Sequence, residues 1–164
     1  MAVIGIDPGT AITGFGIIEE LQDGSLKMLD YGVIRTQSSH SSEQRLVSLF
    51  HQLNEIVGSH PIECAAVENL FFQKNVKTAL SVGEARGVII LNLSLNEIPV
   101  FQYNPMDIKM AVTGYGKADK NQVQQMVKVL LNLAEIPSPD DAADALAIAI
   151  CHIHQKNFNS LLKA

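Results

Sequence analysis

The chain has no apolar run long enough to cross a bilayer: the longest, Ala145 to Cys151, is seven residues against the roughly 20 a membrane helix needs. Cysteine is scarce. Cys64 and Cys151 are the only two, each in an apolar run, which excludes a disulfide scaffold and reads as buried free thiols of a reducing, cytoplasmic setting. Charge is also low, at 18% of 164 residues with 47% hydrophobic, which excludes a disordered chain or a highly charged tail-type binder. No linker, repeat or low-complexity stretch divides the sequence, and no charged-then-apolar leader is expected, because a strand pattern starts at Ala2. One domain over residues 1–164 is expected, its last few residues a loose tail. No Cys/His set has zinc spacing, and no Gly-x-x-x-x-Gly-Lys-Ser/Thr loop is present. Cys151, His152 and His154 lie on a predicted helix where neighbouring positions diverge, so they read as structural.

The remaining pattern predicts strands over Ala2–Asp7, Ile12–Glu20 and Lys27–Thr36, the last two joined by a turn at Gln22-Asp23-Gly24. Ser41-Ser42-Glu43-Gln44 reads as a capping box, opening a helix through Leu46, Leu49, Phe50, Leu53, Ile56 and Val57. Ile62–Glu68 reads as a buried strand, Val76–Leu95 as a long helix and Pro99–Tyr103 as a short strand. Three more helices follow: one from Asn104-Pro105 to Gly114, one through Val123, Met126, Val127, Leu130 and Leu131, and one opened by Ser138-Pro139. The order βββαβαβααα predicts an α/β fold with a mixed five-stranded sheet flanked by helices, antiparallel in one half and parallel in the other. Ligands collect at the carboxyl ends of parallel strands.

Net charge is −5, which taken as a whole argues against nucleic acid. The distribution is uneven, however. Asn69 to Ala134 carries seven basic and four acidic residues, +3, and the rest of the chain carries −8. Phosphate contacts depend on local lysines and not on overall charge, so a basic face remains open to the chain.

Four acids occupy notable positions. Asp7 ends the first strand and Glu68 the fourth; as parallel neighbours they would open at one sheet edge. Asp141 and Asp144, three apart near the start of the last helix, share a helical face among small residues Ala142, Ala143 and Ala145. Two carboxylates about 4 Å apart repel by roughly 4 kcal/mol at an effective dielectric of 20. Hard divalent cations, Mg²⁺ or Mn²⁺, would offset that repulsion, and the expectation is that ions do so rather than protons or lysines.

These residues carry a resemblance. Gly5-Ile6-Asp7-Pro8-Gly9-Thr10, Val67-Glu68 and Asp141-Ala142-Ala143-Asp144-Ala145-Leu146-Ala147, with Gly83-Glu84-Ala85-Arg86-Gly87 and Lys117-Ala118-Asp119-Lys120, resemble the RuvC family of Holliday junction resolvases nearly end to end. The resemblance implies a ribonuclease-H-like fold and a homodimeric, magnesium-dependent endonuclease. It implies a substrate, four-way junction DNA, nicked symmetrically on two opposed strands in recombination and repair, leaving ligatable 5′-phosphate ends. Asp7, Glu68, Asp141 and Asp144 fall on the family's four catalytic, metal-binding acids. They would hold two Mg²⁺ ions roughly 3.5–4 Å apart, with Mn²⁺ able to substitute. Phe71 falls on its base-stacking phenylalanine, beside Phe72 and Lys74; such stacking is worth about 1–3 kcal/mol. Lys109, Lys117 and Lys120 are expected at the DNA, and Gly83 and Gly87 at a helix through which the dimer packs. RuvA and RuvB branch-migration proteins are the implied partners, with no membrane.

Asp-Pro-Gly-Thr also resembles the phosphate loop of actin-like and sugar-kinase ATPases. That fold needs two related halves, and 164 residues hold one. A non-catalytic junction binder on the same fold is disfavoured by the presence of all four acids.

Overall fold

Alternation along the strands sorts the core into two layers. The structure, a computed structural model, describes residues 1–69 and 76–162. Its strands are β1 (Ala2–Asp7), β2 (Ile12–Glu20), β3 (Leu26–Arg35), β4 (Cys64–Glu68) and β5 (Val100–Tyr103). They form one sheet in the order β3-β2-β1-β4-β5. β1–β2 and β2–β3 are antiparallel, β1–β4 and β4–β5 parallel, as the pattern of hairpins followed by crossovers implied.

The helices are α1 (Ser42–Gly58), α2 (Val76–Leu95), α3 (Pro105–Thr113), α4 (Lys120–Leu130) and α5 (Asp140–Leu161). Ser41 and Gln44 form the expected capping box, and Asp119 with Gln122 forms a second one that starts α4. Gly114, at φ 74°, ends α3 in the left-handed conformation that glycine takes without strain. The second parallel strand starts at Cys64 and not Ile62, because Ile62 donates to His60 O and turns the chain before pairing begins.

Ile4 and Ile6 of β1, with Ala65 and Val67 of β4, pack under α1 and α2 through Leu49, Leu53, Ala85 and Ile89. Val3, Cys64 and Ala66 face the other way, into α3, α4 and α5 through Ile108, Val123, Val127, Ala147 and Ile150. Period-two alternation then puts Asp7 and Glu68 on the α5 side of the sheet. Both cysteines are buried free thiols. By length and composition α2 is apolar enough to cross a membrane, with mean hydropathy 1.2 over its best window. In the fold it is a layer helix that buries Ala85, Ile89, Asn92 and Leu93.

Candidate active site

The register of β1 against β4 pairs Ile6 with Val67, so Asp7 and Glu68 leave the sheet side by side at its carboxyl edge. The last helix reaches that edge because two strand positions have no side chain. A Cβ at Gly5 would collide with Ala145 O, and one at Gly14 with Asp141 O. Gly14 is also the residue paired with Asp7 across β1–β2. The backbone of α5 therefore lies directly on the sheet, which draws Asp141 and Asp144 to the edge where Asp7 and Glu68 emerge.

The electrostatics follow from this crowding. Burial raises Asp7 to about 8, helped by the charges of Glu68, Asp144 and Asp141 and by a side-chain hydrogen bond with Glu68. Burial also raises Glu68, with Asp144 adding to it; the bond to Asp7 and the Lys109 charge pull the other way. Asp144 is raised by burial and relieved by Lys120, whose Nζ lies 3.1 Å from its Oδ2 and 3.2 Å from Asp140 Oδ2. A lysine ammonium therefore sits among these acids and neutralises part of their charge.

The donor set itself fits a hard cation, since it is made of crowded carboxylate oxygens whose mutual repulsion positive charge would relieve. Among the described residues no three His, Cys, Asp or Glu side chains already close around one ion position. Asp7 and Glu68 are turned on each other, and Asp144 is held by Lys120.

A cleft of about 260 Å³ opens beside these acids, lined by Glu68, Asp144, Lys109 and Lys120 with apolar walls from Ile108, Val123 and Ile148. Lys109 and Lys120 are thus at the acids. Lys117 is exposed on the loop before α4 and is absent from the cleft lining. Phe71 and Lys74 lie outside the described residues. Gly87 is exposed on α2, where a Cβ would meet nothing of its own chain within 4 Å; Gly83 is half-buried on the same helix.

Arg86, in the Gly83–Gly87 motif, holds the end of β4. From α2 its Nε donates to Glu68 O at 3.3 Å, and its Nη2 donates to Asn69 Oδ1 at 3.1 Å and Gln102 Oε1 at 2.6 Å. Asn69 N in turn donates to Tyr103 O at 2.8 Å. The end of β4 is therefore fixed from a helix and from β5. His152, 4% exposed, bonds Tyr103 OH at 2.8 Å and Cys64 Sγ at 3.3 Å, and His154 Nδ1 meets Ala111 O at 2.9 Å, so both histidines are structural as expected.

Residues 3–152 match the family described as Crossover junction endodeoxyribonuclease RuvC. The chain belongs to the RuvC family. A Crossover junction endodeoxyribonuclease RuvC from Caldicellulosiruptor saccharolyticus is 52% identical over 153 residues, 93% of this chain and 92% of that protein. The Thermus thermophilus RuvC structure superposes with a TM-score of 0.90 at 33% identity, covering 97% of each chain. T. thermophilus RuvC in complex with Holliday junction substrate gives 0.89 at 30% identity over 98% of each. The sheet order and flanking helices are those of RuvC structures, a ribonuclease-H-like fold, and the activity is that of a Holliday junction endodeoxyribonuclease.

Proposed function

We propose that the chain resolves four-way DNA junctions as a homodimer, with Asp7, Glu68, Asp141 and Asp144 as the catalytic set of each protomer. Two opposed strands are nicked symmetrically, leaving 5′-phosphate ends that ligase can seal. The observation that carries this reading is the convergence of acids from β1, β4 and α5 on one sheet edge, beside a cleft that also holds two lysines.

The four carboxylates would hold two Mg²⁺ ions, or Mn²⁺ in their place. When bound, such ions lower the pKa of an attacking water and stabilise charge on the leaving 3′ oxygen. Metal binding there competes with protonation of Asp7, whose carboxyl pKa burial raises to about 8. Lys109 and Lys120, in the cleft wall, hold the oxygens of the phosphate to be cut. Arg86 fixes the backbone of Glu68 and so the direction of its carboxylate. Phe71 stacks on a base opened at the crossover, and Lys74 and Lys117 hold backbone phosphates around it.

The homodimer reading is supported by the outer face of α2. Leu80, Gly87, Leu91 and Leu95 recur at helical spacing, and the three leucines are 65, 54 and 65% exposed, an apolar stripe that a second copy would cover. Gly87 lets a partner helix approach. RuvA and RuvB, acting in the cytoplasm, would present the junction.

The test is incubation of a labelled immobile four-way junction with the protein, with and without Mg²⁺. Paired symmetric nicks that require the metal are expected. Nicking of linear duplex at the same rate, or none with Mg²⁺ or Mn²⁺, would contradict the reading.

A further inference from the structure

The lysines assigned to the phosphate to be cut, Lys109 and Lys120, come from the α3–α4–α5 side of the sheet. A second groove lies on the opposite side. It has a volume of about 620 Å³ and runs between the β1–β2 turn, from Gly9 to Ile12, and the first turns of α2. Among the described residues its polar lining is two cations, Arg45 and Lys77, and three hydroxyls, Thr10, Thr78 and Ser81, with no carboxylate. Its floor begins two residues after Asp7.

The groove is built rather than incidental. Thr13 donates to Gly9 O at 2.7 Å and accepts from Gly9 N, which closes the turn. Thr36 donates to Thr10 O at 2.6 Å, and Arg45 Nε donates to Thr36 Oγ1 at 2.8 Å. The Thr10 and Ser81 hydroxyls bond each other, tying the turn to α2. Arg45 is half-buried and its Nε is engaged, and among the described residues no carboxylate pairs with its guanidinium. In a chain of net charge −5, two cations gathered beside three hydroxyls in one groove suit an anion with several oxygens.

The geometry points to a second phosphate subsite here, formed by Arg45, Lys77, Thr10, Thr78 and Ser81, that holds a backbone phosphodiester of the strand being cut. The strand crosses the sheet edge from one helix layer to the other. Its scissile phosphate lies at the acids, with Lys109 and Lys120 on one side and Arg45 and Lys77 on the other. Cations on both sides offset the repulsion between the acids and the approaching strand. The subsite rests on the nuclease reading.

The test is the salt dependence of junction binding, measured without divalent metal, for the wild type, Lys77→Gln, Arg45→Gln, Arg45→Lys and Lys27→Gln. Each lost phosphate contact lowers the slope of log affinity against log salt by about 0.9 on duplex or about 0.7 on single strand. Lys77→Gln and Arg45→Gln are expected to lower the slope by that amount, and Arg45→Lys to keep it. Lys27, at the far end of the sheet near the start of β3, should leave it unchanged when replaced. Lys77 is exposed, so its variant stands as the test even where Arg45→Gln disturbs the Thr36 contact and the fold. Wild-type slopes in folded Lys77→Gln and Arg45→Gln, with junction cutting intact, overturn the subsite and leave the nuclease reading standing. An equal drop in Lys27→Gln overturns it too, because the slope would then report net charge alone. A wild type that neither binds nor cuts the junction overturns both.

Discussion

Lys120 holds Asp144 through an ion pair of 3.1 Å, and the same ammonium reaches Asp140 at 3.2 Å. A lysine that opens α4 thus fixes an acid in the second turn of α5. Burial lowers the Lys120 pKa, but the bonds and charges of Asp144 and Asp140 outweigh it and leave the ammonium above its ordinary value. The same lysine lines the cleft with Glu68. In the proposed reading it would exchange Asp144 for a substrate phosphate.

Replacing Lys120 by Gln should therefore act on function more than on stability. The side chain is 52% exposed, so the pair stabilises the fold by at most about 1 kcal/mol. Asp144 loses its cation, so the metal concentration for half-maximal cutting falls, while cutting at saturating metal slows. A metal titration of junction cleavage separates the two effects. An unchanged midpoint together with an unchanged rate would remove Lys120 from the site.

Arg86→Lys keeps the charge but loses the fork that spans Glu68 O, Asn69 Oδ1 and Gln102 Oε1. Cleavage should fall by about 10–100-fold through misplacement of Glu68. Junction affinity should stay within about twofold of wild type, since no base or phosphate contact is assigned to Arg86. A loss confined to affinity would show that Arg86 binds DNA instead of positioning Glu68.

The pH dependence follows from Asp7. Its pKa of about 8 in the folded protein lies above the ordinary aspartate value of 3.8, so between those values the folded state binds more protons than the unfolded one. Stability in metal-free buffer should then fall as pH rises from about 4 to about 8. At pH 8, Asp7→Asn should be more stable than wild type, and the difference should shrink toward zero near pH 4. Because metal must compete with the proton on Asp7, apparent Mg²⁺ affinity should climb over the same range. Denaturant melts and metal titrations across pH check both signs.

Leu91→Glu tests the dimer face. Leu91 is 54% exposed on α2, so monomer stability should change by no more than about 0.5 kcal/mol. Sedimentation should show a dimer for wild type and a monomer for the variant. A wild type that stays monomeric at high concentration would contradict the assignment of that face.

Much of this was legible in the sequence, because the decisive features are local or periodic. Asp7 and Glu68 could be paired from the strand order, since residues ending parallel neighbours must emerge together. The i, i+3 spacing of Asp141 and Asp144 gave a shared helix face without coordinates. Periodicity placed α2 at Val76–Leu95. What sequence could not show were contacts between residues far apart in the chain. Arg86 meets Glu68, 18 positions away, because α2 folds back over β4. Lys120 meets Asp144 because α4 and α5 pack together. The groove at Arg45 and Lys77 joins three separate segments, and no spacing rule brings those together.

The central claim is that four acids act as one metal-holding set. Its most direct test compares Asp7→Asn, Glu68→Gln, Asp141→Asn and Asp144→Asn for Mg²⁺-dependent cutting of one labelled four-way junction, with junction affinity measured in parallel. The account predicts that each variant loses cleavage while binding survives. An Asp144→Asn protein that cuts at the wild-type rate would contradict it.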